Sequence, residues 1–175
     1  GLQQDLMRLA QEFCRRNIEV VIYCMIWDAP APPEGISYRE LGTRGFSNHR
    51  KARVFEKMLA AELAQENYLA HVAFNRLSPA DWSFVGDMPF VESVPRNFLE
   101  KMLPRYQTFA AMEKEVFSPE SDSGLLFITK AQLEAYRRLY GTQIERMHLL
   151  PPGINREFAD TAALREKRDE MRAEL

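Results

Sequence analysis

The chain has 175 residues, 46% of them hydrophobic and 27% charged, which is enough apolar material for the core of one globular domain. Its 23 basic and 25 acidic residues give a formal net charge of −2, and this balance argues against a dedicated nucleic-acid-binding protein. No run of 18 apolar residues occurs, so no membrane-spanning helix is expected. Two cysteines are too few for a disulfide framework and favour a reduced, cytosolic chain, and three scattered histidines offer no zinc site.

Short apolar runs alternate with amphipathic segments along the chain. The predicted strands, in chain order, are 19–26, 36–41, 70–75, 82–86, 125–129 and 147–150. The predicted helices are 2–16, 48–66, 97–117, 130–140 and 161–175. Pro104 is expected to kink or split the third of these helices. This alternation predicts an α/β fold, with the strands in one mainly parallel, doubly wound, Rossmann-like sheet.

Several polar residues and glycines follow predicted strands or precede predicted helices, where such sheets bind ligands. Asn75 and Arg76 end one strand and could contact hydroxyls or phosphates, although loop capping explains them equally simply. Asp87 follows the next strand and could hydrogen-bond sugar hydroxyls or act as a turn cap. Gly1 precedes the first helix, where free N–H groups favour a phosphate, although a plain N-terminal turn is the alternative.

The segment 43–57 carries a local net charge of +4. Its basic residues are Arg44, Arg50, Lys51, Arg53 and Lys57, opposed only by Glu56. On a helix near the sheet edge, this charge predicts docking of an anionic acceptor or of anionic lipid headgroups, with a solvated helix face as the alternative. The aromatic residues of 90–117 are interpreted as core rather than as a membrane anchor, although Pro104 and Arg105 could expose part of this segment.

Five stretches, in this order, resemble the N-terminal half of the family 4 glycosyltransferases, in particular those that add the first glucose to the inner-core heptose of lipopolysaccharide. The resemblance extends over essentially the whole chain, because these stretches are distributed from its start to residue 158. They are GLQQDLMRLA (1–10), VAFNRLSPADWSFVGD (72–87), RYQTFAAMEKEVF (105–117), LLFITKAQLEAY (125–136) and LLPPGINREF (149–158).

The resemblance implies a GT-B architecture, in which two Rossmann-like domains enclose a cleft. Residues 1–158 would form the acceptor-side domain and 159–175 the start of the connection between the domains. The first strand of the sheet and the C-terminal, donor-binding domain would lie outside residues 1–175, so this fragment is expected to be inactive by itself.

The activity implied is transfer of a hexose, expected to be glucose, from UDP-glucose to a heptose of the lipopolysaccharide core, with retention of anomeric configuration. The resemblance implies no metal and no other cofactor, no nucleic-acid partner, and a cytoplasmic location peripheral to the inner membrane. The alternative function, from another class, is a non-catalytic module that binds an anionic glycolipid or a membrane surface.

The resemblance also implies roles for individual residues. Asp87 would lie near the reacting centre of the donor sugar and Asp5 near the acceptor end of the cleft, and these two are the predicted catalytic residues. The predicted donor-binding residues are Gly1 and Gly153. The predicted acceptor-binding residues, from their places in the chain, are Asn75, Arg76, Arg50 and Arg53.

Overall fold

The computed structural model describes residues 1–43, 46–78, 80–93 and 97–150. The strands in those ranges are β1 Val20–Cys24, β2 Ile36–Glu40, β3 Val72–Ala73, β4 Trp82–Val85, β5 Gly124–Phe127 and β6 Met147–Leu149. The helices are α1 Leu2–Arg15, α2 Asn48–Leu63, α3 Phe90–Ser93, α4 Phe98–Lys101, α5 Pro104–Phe117 and α6 Lys130–Tyr140. None of these helices combines the length and the hydropathy needed to cross a membrane.

Each predicted strand within the described ranges is confirmed, although most are shorter than the apolar runs that predicted them. Pro104 splits the predicted 97–117 helix: it occupies the first turn of α5, where its missing N–H costs no hydrogen bond. Helix α6 has the predicted bounds, with Thr129 and Gln132 forming a capping box at its start. Gly141 ends it in the left-handed conformation. The predicted helix 161–175, the connection 159–175 and Gly153 lie outside the described residues.

All strand pairs within the described ranges are parallel, as predicted, but the prediction of one continuous sheet is wrong there. The structure has a two-stranded sheet, β1-β2, and a four-stranded sheet of order β3-β4-β5-β6. Among the described strands, β1 pairs only with β2, and β3 pairs only with β4 over two residues. Apolar runs identify strands, whereas sheet continuity depends on which edges meet in space, and the sequence does not specify that.

The hydrophobic core consists of two clusters that match the two sheets. The larger one joins strands β4, β5 and β6 to helices α5 and α6, and its most buried members are Leu125, Phe127 and Tyr136. The smaller one packs Ala10 of α1 against Ile22 of β1 and Ile36 of β2. Helix α1 therefore covers the two-stranded sheet, while its first turn reaches the four-stranded sheet, where Leu2 lies against Gly86.

The interpretation of the 90–117 aromatic residues as core holds for only part of the segment. Phe117 is buried, but Phe98 is 77% exposed. Phe98 belongs to an apolar patch at α4 and its end, all of whose members are more than half exposed: Phe98, Leu99, Met102 and Leu103. A four-residue helix between two loops has too little contact with the core to bury these side chains, which periodicity alone cannot reveal.

Candidate functional site

A cavity lies at the carboxyl ends of β3 and β4, where parallel sheets bind their ligands. Its lining includes Asn75 and Arg76 after β3, Gly86 and Asp87 after β4, and Leu2 at the start of α1. A wider depression lies at the opposite edge, before β4 and β5, with Asp81 and Asp122 in its lining. The first cavity is therefore the candidate site, because three separate segments of the chain meet there.

The N-terminus of α1 lies at this cavity because Gly86 leaves room for it. A Cβ atom at Gly86 would lie 3.1 Å from Cδ1 of Leu2, so a larger residue there would require the Leu2 side chain to shift. The Gly1 carbonyl accepts hydrogen bonds from the backbone N–H groups of Gln4 and Asp5, at 2.9 and 3.2 Å. Gly1 itself faces open space, and the helix N-terminus carries a partial positive charge that favours a bound anion.

The structure brings Asp87 and Asn75 to one cavity together with Leu2, the residue that follows Gly1 at the start of α1. Asp87 and Asn75 both line the cavity and are exposed, so their polar groups are accessible to a ligand. Asp5 lies in the first turn of α1 and is partly buried, but it does not line the cavity. Its predicted role at the acceptor end of the cleft stays a prediction.

Arg76 also lines the cavity, but most of its guanidinium is already engaged by protein groups. Its Nε donates to Oε2 of Glu113 at 2.7 Å, and its Nη2 donates to the Met88 carbonyl at 3.1 Å. Burial by itself would lower the pKa of Arg76. The interactions with Tyr136 and Glu113 outweigh this effect, so the pKa of Arg76 is raised. Arg76 therefore stays positively charged, and its predicted contact with an acceptor stays a prediction.

Glu113 is the residue of this region that sequence reasoning missed. It is fully buried on α5. Its Oε1 accepts a short hydrogen bond from the Tyr140 hydroxyl, and its Oε2 accepts one from the backbone N–H of Phe90 at 2.7 Å. Its position three residues before Val116 on the apolar face of the helix was the available signal of burial.

The predicted basic segment is less positive than its composition indicates. Arg53 makes a bidentate pair with Glu115 at 2.8 and 2.9 Å and contacts Glu56 at 2.7 Å, which ties α2 to α5. The hydrogen bonds to Glu115 raise the pKa of Arg53 and, with Glu56, outweigh the effect of its burial. Arg50 and Lys57 are exposed, and neither Arg50 nor Arg53 lines the cavity. Arg44 lies outside the described residues.

Within the described ranges, no three His, Cys, Asp or Glu side chains converge in a way that could hold a metal ion. The expectation that the reaction needs no metal stays a prediction.

No protein-family model matches the chain, but comparisons of sequence and of structure with known proteins both find the same kind of relative. The chain is 28% identical over 156 residues to the lipopolysaccharide glucosyltransferase WaaG of Escherichia coli strain K12. That match covers 88% of this chain and 41% of the relative. A crystal structure of WaaG, described as a glycosyltransferase involved in lipopolysaccharide biosynthesis, matches with a TM-score of 0.85 and 27% identity.

The structural match covers 89% of this chain and 42% of the WaaG chain, so these residues span about two fifths of the relative's length. The predicted resemblance and the predicted Rossmann-like α/β fold are both confirmed. In sequence and in fold, this chain is homologous to part of a GT-B glycosyltransferase of lipopolysaccharide biosynthesis.

Proposed function

We propose that the protein containing this chain is a retaining glycosyltransferase that moves glucose from UDP-glucose to a heptose of the lipopolysaccharide core. The observation that carries the proposal is the meeting of Asp87, Asn75 and the α1 N-terminus at one sheet edge, in a chain similar to WaaG. A carboxylate, an amide and a helix N-terminus are the groups that a sugar and a diphosphate need.

The proposed chemistry assigns each group a step. The bond between the anomeric carbon and the UDP phosphate oxygen breaks and the bond to the acceptor oxygen forms. The proton of the acceptor hydroxyl passes to the departing phosphate oxygen, so the products are the glycoside and UDP. The free backbone N–H groups in the first turn of α1, next to Gly1, stabilise the negative charge that develops on the leaving phosphate. Asp87 stabilises the positive charge on the sugar, and Asp5 acts at the acceptor end of the cleft.

The acceptor is proposed to bind on the side of Asn75 and Arg50. Asn75 is exposed in the cavity and can hydrogen-bond sugar hydroxyls. Arg50 is exposed at the start of α2 and can attract phosphate groups of the lipopolysaccharide core. Arg53 has two carboxylate partners already, so its share in acceptor binding is the long-range effect of its charge.

A chain limited to these 175 residues is proposed not to transfer sugar. In the implied GT-B architecture, the second domain holds most of the sugar nucleotide, and the matched residues span only about two fifths of the relatives. The acceptor side alone would lack most of the donor's binding energy. No metal and no nucleic acid take part in the proposed reaction.

The proposed location is the cytoplasmic face of the inner membrane, with peripheral attachment. The apolar patch supports this part of the proposal, because Lys101 and Arg105, both exposed, lie beside its apolar side chains. Apolar groups flanked by basic ones favour the boundary of an anionic lipid surface. The same observation would suit the alternative function, a non-catalytic module that binds a glycolipid or a membrane.

A transfer assay separates the two functions. The protein containing this chain is incubated with labelled UDP-glucose and with lipopolysaccharide whose core ends in heptose. Asp87→Asn should lower turnover at least tenfold, which corresponds to about 1.4 kcal/mol of transition-state stabilisation. The matched control is Asp122→Asn, because Asp122 is exposed at the opposite edge of the sheet. Absence of both transfer and UDP-glucose binding in the wild-type protein would refute the enzyme and favour the binding module.

A further inference from the structure

The loop that carries Asp87 is fixed by side chains from three other elements. This Asp87 loop comprises residues 86–90 and joins β4 to α3. The Gly86 carbonyl accepts a hydrogen bond from Nε2 of Gln132 at 3.0 Å, and the Tyr136 hydroxyl lies 3.5 Å from the Asp87 carbonyl. Arg76 donates to the Met88 carbonyl, and the backbone N–H of Phe90 donates to Glu113. The backbone of this loop is therefore bonded almost residue by residue to the interior, although Asp87 and Met88 are exposed.

Glu113 is the centre of this arrangement. It is fully buried, and both of its carboxylate oxygens accept hydrogen bonds, from Arg76, Phe90 and Tyr140. Burying an ion pair brings little net stability, because the loss of hydration offsets most of the attraction between the charges. An apolar pair of similar volume would support the core as well. The distinctive property of the Arg76–Glu113 ion pair is its position, because the pair joins α5, the end of β3 and the Asp87 loop.

Arg76 links the two polar residues of the cavity. It follows Asn75 directly in the chain, and its guanidinium reaches the backbone one residue beyond Asp87. A planar guanidinium can contact Glu113 and the Met88 carbonyl together, whereas a lysine ammonium is a point charge on a flexible stem. The fork therefore holds Asn75 and Asp87 at a fixed separation.

We infer that Arg76 is a positioning residue of the transfer reaction, held by Glu113 so that the Asp87 loop keeps the geometry that the reaction needs. The inference rests on the proposed function. It differs from the predicted role of Arg76 as an acceptor ligand. Replacing a positioning residue lowers kcat, whereas replacing a ligand of the acceptor raises the KM for the acceptor.

The test is a double-mutant cycle in the protein that contains this chain. Arg76→Lys keeps a positive charge beside Glu113 but cannot span both contacts, and it should lower kcat at least tenfold with the acceptor KM within twofold of wild type. Added to Asp87→Asn, it should lower kcat by less than threefold further, because the two residues act as one unit. The control is Arg138→Met, which removes an exposed ion pair with Glu92 and should leave kcat unchanged.

Amide exchange supplies a readout that does not depend on activity. In Arg76→Lys, the backbone amides of residues 86–88 and 90 should exchange at least threefold faster than in the wild type, while those of β5 keep their protection. If Arg76→Lys does not fold, Tyr136→Phe replaces it. This change removes only the hydroxyl, which lies 3.5 Å from Nη2 of Arg76, from the Asp87 carbonyl and from Oε2 of Glu113.

If the wild-type protein is active, two results would overturn this inference but not the proposed function. One is that the losses of kcat caused by Arg76→Lys and Asp87→Asn are additive in the double variant. The other is that Arg76→Lys raises the acceptor KM and leaves kcat unchanged. Absence of transfer by the wild-type protein would overturn the proposed function and this inference with it.

Discussion

Replacing Arg146 by Met should destabilise the fold strongly, because this side chain holds the end of α5. Its guanidinium donates to three backbone carbonyls, those of Val116 at 3.0 Å, Ser118 at 2.7 Å and Ser123 at 2.9 Å. Val116 and Ser118 lie at the end of α5, whose last carbonyls have no partner within the helix. One side chain thus closes the end of α5 and connects it to the turn before β5.

The magnitude follows from these three bonds. A hydrogen bond to a charged group contributes about 1.5–3 kcal/mol, and a cation at a helix C-terminus adds about 0.3–1 kcal/mol. The three bonds share one side chain, and water can reach some of the released carbonyls, because Arg146 is only partly buried. A loss of about 2–4 kcal/mol is therefore expected, against a typical domain stability of about 5–15 kcal/mol. For a chain of this size, the melting temperature should fall by about 4–16 °C.

Urea and thermal unfolding, followed by circular dichroism, measure the effect. Arg146→Lys should fall between wild type and Arg146→Met, because it keeps the charge at the helix end but loses the fork. Arg8→Met is the matched control, since Arg8 is exposed in the middle of α1, and it should change stability by less than about 0.5 kcal/mol. An Arg146→Met variant as stable as this control would refute the reasoning.

Three further changes test the core, the tyrosines and the surface charge. Phe127→Ala, at a fully buried site, should cost about 3–5 kcal/mol in urea unfolding, while Leu69→Ala, at a site that is 89% exposed, should cost almost nothing; equal costs would contradict the core assignment. Burial and the hydrogen bond to Tyr68 raise the pKa of Tyr23 to about 12. The neutral form of Tyr23 is thus favoured in the fold, so its contribution should be complete below pH 10 and lost as the pH rises towards 12, with Tyr23→Phe showing a smaller alkaline loss. The double change Arg50→Glu with Lys57→Glu should weaken binding to anionic vesicles. The difference from wild type should shrink at high salt, because exposed charges are already screened over about 8 Å at physiological ionic strength. Equal binding by the variant and the wild type would exclude this surface as a membrane-binding site.

The local elements were largely predictable, because each depends on neighbours in the chain. The capping pair Thr129 and Gln132, with Gly141 at the other end, defines α6 whatever packs on it. Pro104 must begin a helix or break one, because proline has no backbone N–H group to donate. The places of Asn75 and Asp87 followed from the same logic, since residues after parallel strands share one edge of the sheet.

The electrostatic part of the site was not predictable in this way. Arg76 and Arg53 have the same appearance in the sequence as Arg50, a basic residue near the sheet edge. Only packing separates them: Arg76 meets Glu113 at a distance of 37 residues along the chain, and Arg53 meets Glu115 at a distance of 62. A charge that is solvated and a charge that is paired in the interior differ in their surroundings, not in their residue type.

By itself, the sequence determined the order of strands and helices, the parallel α/β class and the sheet edge at which Asn75 and Asp87 lie. The tertiary structure alone decided that the strands form two sheets, that the apolar patch stays exposed, and that a buried carboxylate fixes the Asp87 loop. The physical reason is range. Periodicity, caps and turns act over a few residues, whereas strand pairing, burial and ion pairs join residues that are distant in the chain and meet only when it folds.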